Sequence, residues 1–165
     1  MQKKKPIEPV ILITGAARRI GAVIARLFHG KGYKIIIHFN QSAAEADRIC
    51  KSLNNLRSDS CFLVQSDLNK PEGIDKIVDL IETIGRLDIL INNAGSGAFY
   101  KWSQFPEIEI LNQINLLYTS PVLICRHFLP IMYEEKRGTI VNVSSLATIY
   151  PVPFMTIYNS GKSAL

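Results

Sequence analysis

An α/β fold built on a doubly wound parallel sheet is predicted by three observations. Short runs of β-branched and apolar residues alternate with longer amphipathic stretches; those runs are apolar at nearly every position; and a glycine-bearing turn joins the first run to the first helix. Strands that are apolar throughout imply a sheet covered on both faces, as parallel sheets with helical crossovers are. Right-handed crossovers then give about five strands in the order 3-2-1-4-5.

The first run is Val10–Ile13. After it Ile20, Val23, Ile24, Leu27 and Phe28 recur at helical spacing, and Gly30 and Gly32 end that helix. The pattern predicts a second strand at Lys34–Phe39, a second helix at Ala43–Leu56 and a third strand at 61–64. Pro71 opens a helix carrying Ile74, Ile77, Val78 and Ile81, and 87–91 forms the fourth strand. A long helical region over 107–135 is expected to be interrupted near Pro121, the fifth strand falls at 139–143, and a last helix begins near Ile157. The stretch 95–106, rich in Gly, Ser and aromatics, follows the carboxyl end of a strand, where such sheets bind ligands.

With 165 residues, 47% of them hydrophobic, the chain has the means to bury one core. Residues 10–165 read as one nucleotide-binding domain behind a basic tail, 1–9. Part of the net charge of +5 sits in that tail at Lys3, Lys4 and Lys5, so it argues for a solvated leader rather than a nucleic-acid or membrane surface. No apolar stretch has the length of a membrane span, and a cytoplasmic protein is expected. Cys50, Cys61 and Cys125 form no CxxC pair and fit a reducing compartment, while His29, His38 and His127 are isolated, so no metal is expected.

Two motifs carry the chemistry. The turn Thr14-Gly-Ala-Ala-Arg-Arg-Ile-Gly21 lies between the first strand and the first helix, where Gly15 permits a tight turn and Gly21 a close approach. The helix start offers free amides and partial positive charge to a pyrophosphate. Far downstream, Tyr158 and Lys162 stand four residues apart, on one face of a helix, with Ser145 before them. A cation beside a phenol favours the phenolate and so eases proton transfer to and from a carbonyl oxygen.

Together with Asp67 after the third strand and Asn92-Asn-Ala-Gly95 after the fourth, these motifs resemble the short-chain dehydrogenase/reductases, whose dinucleotide fingerprint is TGxxxGxG. The resemblance runs over nearly the whole chain. It implies a Rossmann-type fold and a reductase transferring hydride to a carbonyl or C=N carbon, with Tyr158 as proton donor. Lys162 would support that phenol and hold ribose hydroxyls, and the Ser145 hydroxyl would bond the substrate oxygen. The residues it implies at the cofactor are Gly15, Arg18, Arg19, Ile20, Gly21, His38, Ser42, Asp67, Leu68, Asn93, Ala94 and Gly95, with Tyr158 and Lys162. Asp67 resembles the residue that accepts from the adenine amino group; from the sequence alone a helix N-cap ahead of Pro71 serves equally well.

Arg19 departs from the fingerprint, standing where its middle glycine would be. That arginine, and the run of His38, Ser42, Ala43, Ala44, Glu45 and Ala46, are similar to the pteridine reductases. No carboxylate ends the second strand to hold the ribose hydroxyls of NAD, whereas Arg18 and Arg19 supply cations for a 2′-phosphate, so NADPH is expected over NADH. Gln41, where pteridine reductases commonly carry a further arginine, implies weaker phosphate affinity. Ser145 replaces their usual aspartate, and Phe99-Tyr100 falls two positions late for their aromatic pair, so a reduced pteridine and a general carbonyl substrate both stay open, the pteridine being preferred.

The family's fourth catalytic residue, an asparagine in the long helix, falls on Asn115 read forward and on Leu117 read backward from Pro121 to Pro130. Two residues rotate a helical side chain by about 200°; Asn115 is expected, with a helix irregularity absorbing the difference. The family resemblance also implies two further strands and a covering loop after the last helix, with much of a homo-oligomer surface. A C-terminally truncated chain is therefore expected, and a catalytically inactive nucleotide-binding or interaction protein is the alternative function.

Overall fold

The alternating runs form five parallel strands, β1 (Val10–Ile13), β2 (Lys34–Phe39), β3 (Cys61–Gln65), β4 (Ile89–Asn92) and β5 (Thr139–Asn142), in the spatial order β3-β2-β1-β4-β5. The computed structural model describes residues 8–165; the three leader lysines fall outside the described residues. β1 sits at the centre, with Ile11 opposite both Ile35 of β2 and Ile89 of β4. The predicted Rossmann-type order holds, with the central strands β1 and β2 buried on both faces and each face receiving helices.

On one face Ile11, Ile13, Ile35 and Ile37 pack against α1 (Arg19–Gly30) and α2 (Ala43–Leu56). On the other, Leu12, Ile36 and Leu90 pack against α3 (Pro71–Ile84) and α5 (Ser120–Glu134). Ile11, Leu12, Ile13, Ile35, Ile36 and Ile37 are each 0% exposed; at roughly 1.5–3 kcal/mol per buried side chain, the two central strands anchor the sheet.

The first helix departs from expectation. Its buried residues are Gly21, Ala22, Ala25 and His29, and Ile24 and Phe28 pack partly on the sheet, but Ile20, Val23 and Leu27 are 61%, 66% and 56% exposed. The reason is close approach: a Cβ on Gly21 would lie 2.7 Å from the Gly15 carbonyl oxygen, so this helix meets the sheet through its smallest residues.

The long helical region is interrupted just ahead of Pro121. α4 (Glu107–Ile114) passes into a π-helical turn, Asn115–Thr119, and then into α5. The Ser120 amide donates to the Asn115 carbonyl, five residues back. Pro121 has no N–H to give the carbonyl four residues before it, so the preceding turn is free to widen. Thus the proline sits inside α5 and the irregularity lies ahead of it. β5 forms one edge of the sheet, with Thr139, Val141 and Asn142 exposed. Among the described residues no helix is long and apolar enough to cross a membrane.

Candidate active site

A cleft of about 700 Å³ opens along the carboxyl ends of the strands, within the range of small-molecule sites. Its lining includes Gly15, Arg18, Arg19, Ile20 and Gly21 after β1, His38 and Ser42 after β2, and Asp67 and Leu68 after β3. Asn93, Ala94 and Gly95 after β4 complete it, together with Tyr158 and Lys162 on α6 (Thr156–Ala164). The fold thus brings every residue expected at a cofactor to one surface.

The turns after β1 and β4 are locked together. The Thr14 hydroxyl accepts from the amides of Asn93 and Ala94, both at 2.9 Å. The Asn93 side chain donates back to the Thr14 and Gly15 carbonyls at 2.8 and 3.2 Å. Gly15 takes φ +64°, and a Cβ there would stand 2.9 Å from the Ala94 Cα, so both its conformation and its neighbour exclude a side chain.

Arg18 is the N-cap of α1 in extended conformation, and Arg19 follows with φ 50°. The family's glycine at this slot has a physical reason: the backbone is left-handed there, which costs a residue with a side chain about 1–2 kcal/mol. Both arginines are exposed, and among the described residues neither forms an ion pair. Ser42 is the N-cap of α2, yet its hydroxyl makes no capping bond and stays available to a ligand. Asp67 is not a helix cap, since Lys70 holds that position in α3; its carboxylate accepts from the Asn69 amide at 3.1 Å.

His38 is 2% exposed. The Gly15 amide donates to its Nδ1 at 3.2 Å, and its Nε2 lies 3.1 Å from the Ser66 carbonyl. Burial, opposed by the Ser66 bond and the Asp67 charge, lowers its pKa to about 4.

Lys162 is 4% exposed, and its Nζ donates to the Val143 carbonyl at 2.6 Å. Burial pulls its ammonium below the ordinary lysine range. The Ser144 hydroxyl donates to the Lys162 carbonyl at 2.9 Å, tying the segment after β5 to α6. Two glycines admit the α6 side chains: a Cβ on Gly95 would stand 3.4 Å from Lys162 Nζ, and one on Gly97 would collide with Met155 Cε and lie 3.0 Å from Tyr158 Cδ2. Gly97 and Met155 are absent from the sequence-derived set. The Gly95-Ser-Gly97 spacing was the available signal, but its meaning depends on a helix about sixty residues away.

Two expected catalytic residues are placed differently. Ser145 does not line the cleft; its hydroxyl accepts from the Ala147 amide at 3.1 Å and caps a short 3₁₀ turn, Leu146–Thr148, while the adjacent Ser144 does line it. Asn115 makes no side-chain hydrogen bond to Ser145, Tyr158 or Lys162. Leu117 is 0% exposed, with its Cδ2 against Gly95 and its Cβ and Cδ1 against Gly161. The irregularity expected to absorb the two-residue difference is this π turn, Asn115–Thr119, which buries Leu117.

The family model described as short chain dehydrogenase matches residues 9–165. An uncharacterised oxidoreductase of Staphylococcus aureus strain MRSA252 is 28% identical over 159 residues, covering 96% of this chain and 67% of that protein. One of Bacillus subtilis strain 168 is 28% identical over 153 residues, covering 93% and 62%. Among solved structures, the bulky-bulky ketone specific alcohol dehydrogenase from Comamonas testosteroni superposes with a TM-score of 0.87 at 27% identity, over 94% of this chain and 62% of that one. The chain spans about two thirds of the length of these relatives.

Proposed function

The chain belongs to the short chain dehydrogenase family, and on that premise we propose that it acts as an NADPH-dependent reductase adding hydride to the carbonyl carbon of a ketone. The observation that carries this reading is one cleft lined by Tyr158, the buried Lys162 and two arginines that have no ionic partner among the described residues. The residues present fit a dinucleotide. Gly15 and Gly21 let the turn fold tightly against Ala94 and Asn93, at the rim of the cleft, and the first helical amides of α1 lack intrahelical acceptors.

When bound, the nicotinamide supplies the hydride; the chain's own residues do the rest. Arg18, Arg19 and Ser42 hold the 2′-phosphate, the start of α1 holds the pyrophosphate, and Asp67 accepts from the adenine amino group. Lys162 spends one of its three N–H bonds on Val143 and turns the others to ribose hydroxyls. The Tyr158 hydroxyl gives its proton to the substrate oxygen as the carbon is reduced. The Ser145 hydroxyl accepts from the Ala147 amide and so keeps its own O–H to donate to that oxygen.

A ketone is preferred to a pteridine C=N substrate on two grounds. Tyr100, half of the expected stacking pair, already packs against Phe105 with ring centroids 4.8 Å apart. Phe99, Trp102 and Phe154 are 67%, 67% and 57% exposed, and the Tyr100 amide bonds the Phe154 carbonyl at 3.0 Å, so bulky apolar substituents find aromatic surface beside α6. The pteridine-reductase-like reading rests on Arg19 and the run from His38 to Ala46. Nucleotide binding without turnover is the second functional reading, favoured by a Ser145 that does not line the cleft and by Leu117, not Asn115, packed against Gly95 and Gly161.

Titration of the chain with NADPH and NADH, followed by ketone-dependent loss of nicotinamide absorbance, tests this. Saturable NADPH binding at least about tenfold tighter than NADH is expected, from charge-assisted bonds to the 2′-phosphate of about 1.5–3 kcal/mol. Equal affinities refute the NADPH assignment; binding without turnover of any bulky ketone favours the second reading. In the same assay Arg19→Gly is expected to weaken NADPH while raising urea-unfolding stability by about 1 kcal/mol, because the left-handed backbone strain disappears. A variant that loses both stability and affinity contradicts that assignment of strain.

A further inference from the structure

We propose that His38 is a positioning residue that fixes the phosphate turn, holding the turn after β1 and the exit of β3 in one geometry without itself touching phosphate. The inference rests on the dinucleotide reading above and goes beyond it, since a histidine lining such a cleft invites the simpler role of phosphate ligand.

The bonding pattern argues for the indirect role. A carbonyl can only accept, so the 3.1 Å contact to Ser66 places the ring proton on Nε2. Nδ1 is then a bare acceptor, which is what the Gly15 amide meets at 3.2 Å. Both nitrogens are committed, in the neutral form, at 2% exposure. The His38 backbone carbonyl also accepts the Ala16 amide at 2.9 Å.

One residue therefore takes up two successive amides of the turn, those of Gly15 and Ala16. The next backbone bond is made by Ala22, to the Arg18 carbonyl, so the uncommitted donors are those at the start of α1. His38 selects which amides face a pyrophosphate. Through Ser66 it also ties that turn to the residue immediately before Asp67, so the phosphate and adenine ends of the cleft share one strut.

Three substitutions separate the bonds. His38→Asn puts an amide oxygen where Nδ1 accepts; His38→Gln puts an amide N–H where Nε2 donates; His38→Phe keeps the ring volume and loses both. NADPH and NADH dissociation constants are measured on each, with hydrogen exchange of the Gly15 amide by NMR. The Asn variant is expected to bind within about threefold of wild type and to keep Gly15 protected. The Gln and Phe variants are expected to bind both cofactors about tenfold more weakly, with Gly15 exchange at least about tenfold faster. The NADPH-to-NADH ratio stays constant throughout, because the turn serves the part the two cofactors share. A ratio that collapses in all three variants identifies His38 as a direct 2′-phosphate ligand and overturns the proposal, as do equal affinities across the series. If the wild type binds neither cofactor, the dinucleotide reading fails; unchanged Gly15 exchange in Gln and Phe then independently refutes the strut.

Discussion

Replacing Tyr158 with Phe is expected to lower the rate of NADPH-dependent ketone reduction by about 10²- to 10⁴-fold, the usual contribution of a placed general acid. The same variant is expected to hold NADPH within about twofold of wild type. Its ring keeps the contact with Gly97, and Lys162, four residues on, keeps its bond to Val143. The loss thus falls on kcat rather than on cofactor affinity, the pattern of an interaction made in the transition state. Stopped-flow single turnovers with cofactor and ketone saturating provide the check. A variant retaining more than about a tenth of the wild-type rate removes Tyr158 from the chemistry and leaves the family resemblance without its proton donor.

The second large effect concerns acid stability. His38 has a folded pKa of about 4 against 6.5 unfolded, because burial disfavours its charged form. The folded state therefore binds fewer protons than the unfolded state between those values. Stability is fully present above pH 6.5 and is lost as pH falls towards 4. At about 1.4 kcal/mol per unit, the loss from this one group is roughly 3 kcal/mol. His29, bonded to the Ser60 hydroxyl at 2.8 Å, adds in the same direction, since its pKa is lowered first by burial and then by Arg57. Asp88 acts in a lower window. Burial works against its charge, but bonds from Arg86 and the Val10 amide and the charges of Arg86 and Arg137 outweigh it, so its contribution is lost only below 3.8. Urea unfolding from pH 7 to 4.5 is expected to show a steep decline that His38→Asn flattens to the His29 share. An NMR titration in which the His38 ring protonates near 6.5 excludes the effect.

Much of this molecule is legible from local pattern. β1, β2 and α2 fall on the residues their periodicity indicates, and the sheet order follows from the alternation of strands and helices with right-handed crossovers. The expected cofactor set also lines one cleft, for a physical reason: in a doubly wound sheet every strand points its carboxyl end the same way, so residues just after each strand meet at one rim. Where a residue's place depends on its distance along a strand or helix, sequence suffices.

Contacts between distant segments were decided only by the tertiary structure. Ile20, Val23 and Leu27 have the spacing of a buried stripe, but the Gly21, Ala22 and Ala25 side lets the backbone come closer to the sheet. Asn115 and Leu117 differ by one widened turn, whose direction follows from packing against Gly95 and Gly161 and not from propensity. His38 reads as one isolated imidazole until the fold sets Gly15 and Ser66 on its two nitrogens. The sequence by itself determined the fold class, the strand order and the inventory of groups at the rim, because those depend on periodicity and chain direction. Only the folded chain decided which groups face the cleft and which brace it, because ångström-scale packing of segments far apart in sequence sets each side chain's partners.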